Sequence, residues 1–104
     1  MPGINLFSPK QAGTVSITCA VTTANVSLGL TGDGSRQIRV KNIDGTNLAY
    51  INFGNSAVTA SLSTAIPIGA GETAGFTVGG DVTHVAAICS AGTPVVYFTP
   101  GYGV

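Results

Sequence analysis

Residues Tyr50–Val104 read YINFGNSAVTASLSTAIPIGAGETAGFTVGGDVTHVAAICSAGTPVVYFTPGYGV. Short apolar–polar alternations are cut by glycine turns. A period of two puts every second side chain on one face, the pattern of a half-buried β-strand. Leu48 to Phe53 is apolar at nearly every position, so both faces of that strand are expected to be covered. Gly54-Asn55 breaks it. Ala57 to Leu62 reads as a short strand, and Ser61 to Ala65 as a single helical turn. Ile66-Pro67-Ile68 suits a sheet edge, because proline cannot donate to a ladder. Gly69 to Gly71 turns the chain into Glu72 to Val78, and Gly79-Gly80 turns it again. Thr83 to Cys89 and Pro94 to Thr99 are the last two strands, joined around Ala91-Gly92. Pro100-Gly101 is expected to end the sheet.

Towards the N-terminus the pattern continues. Thr14 to Val21 alternates, with Val15, Ile17, Cys19 and Val21 facing inward. Asn25 to Leu30 is a weaker strand. Thr31-Gly32-Asp33-Gly34-Ser35 reads as a hairpin turn, because Asp-Gly supplies the positive φ angles of tight hairpins. Arg36 to Ile43 sends Ile38 and Val40 inward and Arg39 and Lys41 outward. Asp44-Gly45 reads as a second hairpin. No window carries the i, i+3, i+4, i+7 spacing of an amphipathic helix. About eight or nine short strands at roughly ten-residue spacing imply a β-sandwich or closed barrel.

The fold class is therefore all-β: a single-domain antiparallel β-sandwich or jelly-roll-like barrel over residues 14–104, with an extended N-terminal arm over residues 1–13. Val15, Ile17, Ile38, Val40, Ile51, Phe76 and Val78 are expected to share its core. Pro2 and Pro9 keep the arm out of regular helix or central strand. Ile4, Leu6 and Phe7 make the arm too apolar for a free tail. The arm, residues 1 to about 11, is therefore expected to dock on a neighbouring chain; the alternative is that it folds back as an edge strand of its own domain.

Charged residues make up 8% of the 104 residues, against about 25% in an average soluble domain. Four basic and four acidic side chains cancel, so no long-range field steers the chain towards nucleic acid or an anionic membrane. Polarity comes instead from 13 Thr, 8 Ser, 6 Asn and 2 Gln. A free monomer of mean hydropathy +0.44 with so few charges tends to self-associate, so much of its surface is expected to face protein. No segment approaches the ~20 apolar residues that span a bilayer. Met1-Pro2-Gly3 lacks the basic start of a secretory signal, so the chain is expected in the cytoplasm or built into a particle there.

Little in the sequence can do chemistry. His84 is the single histidine, and Asp81 three residues before it reads as turn plus strand rather than a catalytic pair. One His and two Cys fall short of a four-ligand zinc site without a carboxylate or a second chain. Asp33 and Asp44 lack the defined loop that gives calcium its six to eight oxygens. Gly69-Ala70-Gly71 lacks the lysine and helix of a phosphate loop. Cys19 and Cys89 lie in strand-like runs and read as two buried free thiols, a bridge being disfavoured in a reducing cytoplasm. Arg36, Arg39 and Lys41 are too few to bind nucleic acid tightly. They read as a solubilising patch or as partners for acids on another protein. Tyr97 and Phe98 point to opposite faces and cannot form one stacking platform with Tyr102. No catalytic residue, metal site or cofactor is assigned.

In order and spacing, several elements resemble the C-terminal part of small structural proteins of tailed bacteriophage particles. These are Phe53-Gly54, Ser56 to Ala60, Ile66-Pro67-Ile68 with Gly69 to Glu72, Thr83 to Ile88, and Val96 to Gly101. The resemblance runs from about Arg39 onward, and Tyr102 stands where many such proteins carry an acid. It implies a virion protein of the capsid decoration, or cement, kind. Such a protein would clamp neighbouring major capsid subunits; the low-charge, apolar-rich surface points separately to a homodimer or homotrimer, and no nucleic acid, membrane or small-molecule substrate is expected as partner. Ile4, Leu6, Phe7, Arg39, Lys41 and Tyr102 are the candidate interface residues. The alternative of another class is a carbohydrate- or receptor-binding module of a phage fibre or tail. That function needs an aromatic platform or acidic pocket, which the sequence does not display.

Overall fold

The computed structural model describes residues 8–9, 13–29, 36–79 and 81–102. Among these there is no helix. The strands are β1 (Ser8–Pro9), β2 (Val15–Thr18), β3 (Ala24–Ser27), β4 (Arg36–Asn42) and β5 (Ala49–Gly54), then β6 (Ile66–Ile68), β7 (Thr73–Val78), β8 (His84–Ile88) and β9 (Val95–Tyr102). One sheet, here sheet A, runs β1-β9-β4-β7, with β2 also on β9. The other, sheet B, runs β3-β8-β5-β6. Every pairing is antiparallel. Setting β1 aside, β2-β9-β4-β7 faces β3-β8-β5-β6, the two-sheet strand order of a jelly roll.

The inward residues of both sheets form one core. Ile17, Ile38, Val40, Val96 and Phe98 come from sheet A, and Ala49, Ile51, Ile68, Val85 and Ala87 from sheet B. Val15, Phe76 and Val78 pack against this cluster half-buried. Phe53 and Phe76 meet across the sheets with ring centroids 5.4 Å apart and planes tilted by 58°, a favoured aromatic geometry.

Several sequence expectations need correction. Of consecutive strands, only β5 and β6 are hydrogen-bonded neighbours. Asp44-Gly45 is therefore no hairpin but an arch from sheet A to sheet B. Gly45 is not among the glycines with positive φ. The arch is built by side chains instead. The Asp44 carboxylate accepts the Thr46 N–H at 2.7 Å and the Asn47 N–H at 2.9 Å. These bonds, that to Asn47 first, hold its pKa below the usual carboxylate range. Fully buried Asn42 anchors the arch: its Nδ2 donates to the carbonyls of Asn47 and Ile68, and its Oδ1 accepts the Asp44 N–H. The expected Asp33-Gly34 turn lies outside the described residues, but β3 and β4, which it joins, also fall in different sheets.

Val21 is 72% exposed rather than inward, because β2 stops at Thr18. Ala57 to Leu62 is a loop, not a strand. Ser61 to Ala65 does form one turn, closed by Ala65 N–H on the Ser61 carbonyl at 2.9 Å. Pro100-Gly101 does not end the sheet, since β9 continues to Tyr102, pairing with Arg36 on one side and Ser8 on the other. The carbonyls of Pro94 and Val95 bond Cys19 and Ile43 on opposite sides of the strand. By alternation, the missing N–H of Pro100 points to the side of β1 and β2. There β2 pairs no further than Phe98 and β1 begins at Gly101. Proline is tolerated at that break because no donor is needed. At Ser8–Pro9 the arm lies along its own β9, while Ile4, Leu6 and Phe7 lie outside the described residues.

Candidate functional site

The outer faces of the two sheets differ, and the difference locates the candidate site. On sheet B, Asn25, Ala86 and Asn52 lie side by side on β3, β8 and β5. Ala86 is fully buried yet is not part of the central core. Its cover is the β5–β6 loop, residues 55–65. Asn25 Nδ2 donates to the carbonyls of Ser56 and Val58, and Asn52 Nδ2 donates to that of Thr59. Thr23 Oγ1 accepts the Ala60 N–H at 2.8 Å. Gly54 lets the loop turn back tightly, because a Cβ there would lie 2.9 Å from the Val58 Cβ.

Sheet A has no such strap among the described residues. Ser16, Tyr97, Lys41 and Thr73 make one cross-strand row. Thr99, Arg39 and Gly75 make the next, extended by Thr14, whose hydroxyl lies 3.1 Å from that of Thr99. Gln37 and Thr77 follow. The surface is a flat array of hydroxyls with two cations, one exposed tyrosine and, among the described residues of these strands, no carboxylate. Lys41 Nζ donates to the Gly71 carbonyl at 3.0 Å, which steadies it over the β4–β7 side.

Of the sequence-predicted interface residues, Arg39 and Lys41 sit on this face, and Tyr102 lies in β9 of the same sheet. Ile4, Leu6 and Phe7 fall outside the described residues, although Ser8–Pro9 enters the same sheet. Sequence reasoning missed Tyr97, which is 40% exposed while Phe98 is fully buried. The alternation in Val96-Tyr97-Phe98 was enough to place it outward beside Lys41 once the pairing is known. His84 Nδ1 lies 2.8 Å from the Thr83 hydroxyl. No group of three or more His, Cys, Asp or Glu comes together among the described residues.

No known protein family matches the chain, and no curated protein matches it in sequence. Among solved structures, the fold is similar to a protein of Bacillus endospore appendages, described as a novel family of disulfide-linked pili. The TM-score is 0.63 at 22% identity, covering 96% of this chain and 88% of that one. That likeness shows the fold. The Drosophila NLP core, described in terms of pentamer formation and histone binding, matches with a TM-score of 0.36 and 13% identity over 95% of this chain and 97% of its own. A Ralstonia eutropha mannose-6-phosphate isomerase homologue gives 0.38 and 14% over 98% and 86%. Scores this low carry no argument.

Proposed function

We propose that the chain is a structural subunit of a bacteriophage particle, of the capsid decoration kind, bound to the major capsid protein through the outer face of sheet A. The observation that carries this reading is the asymmetry of the two faces. One is partly covered by the chain's own loop, while the other is an open strand surface of hydroxyls, one tyrosine and two cations. A jelly roll holds such a face flat because its inner side is a packed core, so binding costs little ordering. The phage-like order of elements from Arg39 onward supports the particle.

Size sets a limit on the face. Strands about 4.8 Å apart and rising about 3.3 Å per residue make four strands a surface of roughly 400 Å². A stable interface takes about 800 Å² from each partner. The face alone gives a weak contact. In this proposal the apolar arm residues Ile4, Leu6 and Phe7 supply the rest, and repetition over a lattice adds avidity.

A second reading, a filament subunit, is favoured by the fold likeness to the spore-appendage protein over nearly the whole chain. One experiment separates the two. The purified chain is incubated alone and with empty heads that lack it, then sedimented and viewed by electron microscopy. Binding to heads with no self-assembly supports the decoration protein. Filaments formed by the chain alone support the second reading. A chain that does neither contradicts both.

A further inference from the structure

We infer that Cys19 and Cys89 form an intramolecular disulfide when the chain folds in an oxidising environment, a covalent seam between the two sheets. Cys19 directly follows β2 of sheet A and Cys89 directly follows β8 of sheet B. The two strand ends meet at one end of the sandwich. The Cys89 N–H donates to the Ala20 carbonyl at 2.9 Å, and the Cys19 N–H donates to the Pro94 carbonyl at 2.8 Å. Cys89 is thus hydrogen-bonded to the residue beside Cys19. In the structure both are buried and unbridged; a bridge between them takes a Cα separation of about 4.4–6.8 Å. Both side chains point into the same buried cluster. Burial first, and the neighbouring Cys89 second, push the Cys19 thiol up to about 11.

The Cys89 thiol is held by a weak hydrogen bond to the Gly92 carbonyl at 3.4 Å. Bridging would cost that contact and a rotation of the side chain. Gly92 itself is fixed, with φ +69° and the Asn47 amide where a Cβ would stand. The turn beside Cys89 is therefore a firm seat.

The oxidant is a low-molecular-weight disulfide. One cysteine sulfur, as thiolate, attacks it, forms a mixed disulfide and releases one thiol. The other cysteine sulfur gives up its proton and attacks the protein-side sulfur of that mixed disulfide, releasing the second thiol. The chain loses two electrons and two protons, and the oxidant becomes two thiols. Burial disfavours the thiolate that exchange requires. The bridge therefore closes during folding, while the end of β2 is still open, and is afterwards shielded from reductant. It would enclose β3 to β8, and long loops gain most from closure.

The test is to refold the reduced chain in oxidised plus reduced glutathione, and in parallel with reductant alone. Expected in the first arm are a mass lower by two hydrogen atoms, a Cys19–Cys89 cross-linked peptide, a monomer on a non-reducing gel, and a higher urea midpoint than the reduced chain. Two thiols still open to alkylation after unfolding would overturn the inference. So would a cross-link between two chains, or a bridge that leaves the midpoint unchanged. Cys19→Ser and Cys89→Ser variants, refolded the same way, are expected to show no gain in midpoint from oxidant.

Discussion

The outer faces of sheets A and B carry different side chains and end in different states. Sheet B carries Asn25 and Asn52, whose amides grip the loop over residues 55–65 and bury Ala86 beneath it. Sheet A carries hydroxyls of Thr and Ser around Tyr97, Arg39 and Lys41 and takes no comparable loop among the described residues. A primary amide offers two donors, and the Asn25 amide bonds two carbonyls of that loop. The face that ties down its own chain is partly covered by it, and the other stays open among the described residues.

The largest test concerns what the two sheets share. Ile51→Ala from sheet B and Phe98→Ala from sheet A should each lower unfolding stability by ~2–5 kcal/mol, read from denaturant midpoints, because both are fully buried in one core. A large loss for one and none for the other would mean that the sheets do not share a core.

The seam between the sheets should show in alkali. In reductant, the folded state keeps Cys19 protonated up to about 11 against an ordinary value of 9.0. The unfolded chain therefore loses this proton at lower pH than the folded one, and ionisation there favours unfolding. The contribution of the protonated thiol is present below the ordinary value and lost as pH rises through the folded one. Stability should therefore fall between pH 9.0 and about 11, and Cys19→Ala should flatten that slope. At the acid end the sign is opposite. The depressed pKa of Asp44 favours the folded state above the ordinary carboxylate range and is lost as pH falls through the folded value. Asp44→Ala should remove that part of the acid slope in a pH series of midpoints.

Next comes the strap itself. Gly54→Ala forces a Cβ against Val58 and should cost ~1–3 kcal/mol. Asn52→Ala should cost ~0.5–1.5 kcal/mol for a lost hydrogen bond. Both should speed hydrogen exchange at the Ala60 amide, now held by Thr23. An unchanged Ala60 rate in both would show that the loop does not depend on these contacts, and the contrast between the faces would weaken.

Much of this was legible in the chain. Alternation placed Ile17, Ile38, Val40 and Ile51 inward and Arg39 and Lys41 outward, because side-chain period follows directly from the pleat. Pro67 marked an edge strand, which is where β6 lies, paired to β5 alone. Pairing was not legible. Asp44-Gly45 looks like a hairpin locally, yet buried Asn42 turns it into an arch between sheets. Nothing at a single position announces that, since the partners of Asn42 include Ile68, far along the chain. The strap was misread for the same reason. Ala57 to Leu62 alternates like a strand, but its backbone groups are taken by side chains of β3 and β5 rather than by a ladder. The exposed face followed from the strap and so escaped with it.

The smallest expected effect on stability carries the most weight for function. Lys41→Glu and Tyr97→Thr lie on an exposed surface and should change stability by no more than about 0.5 kcal/mol. The direct measurement is co-sedimentation of the unaltered chain and of the Lys41→Glu, Tyr97→Thr double variant with empty phage heads lacking the protein. The unaltered chain should pellet with the heads, and the double variant, equally folded, should remain in the supernatant. Equal pelleting of both would contradict the assignment of sheet A as the binding face, and no pelleting of either would contradict the capsid role.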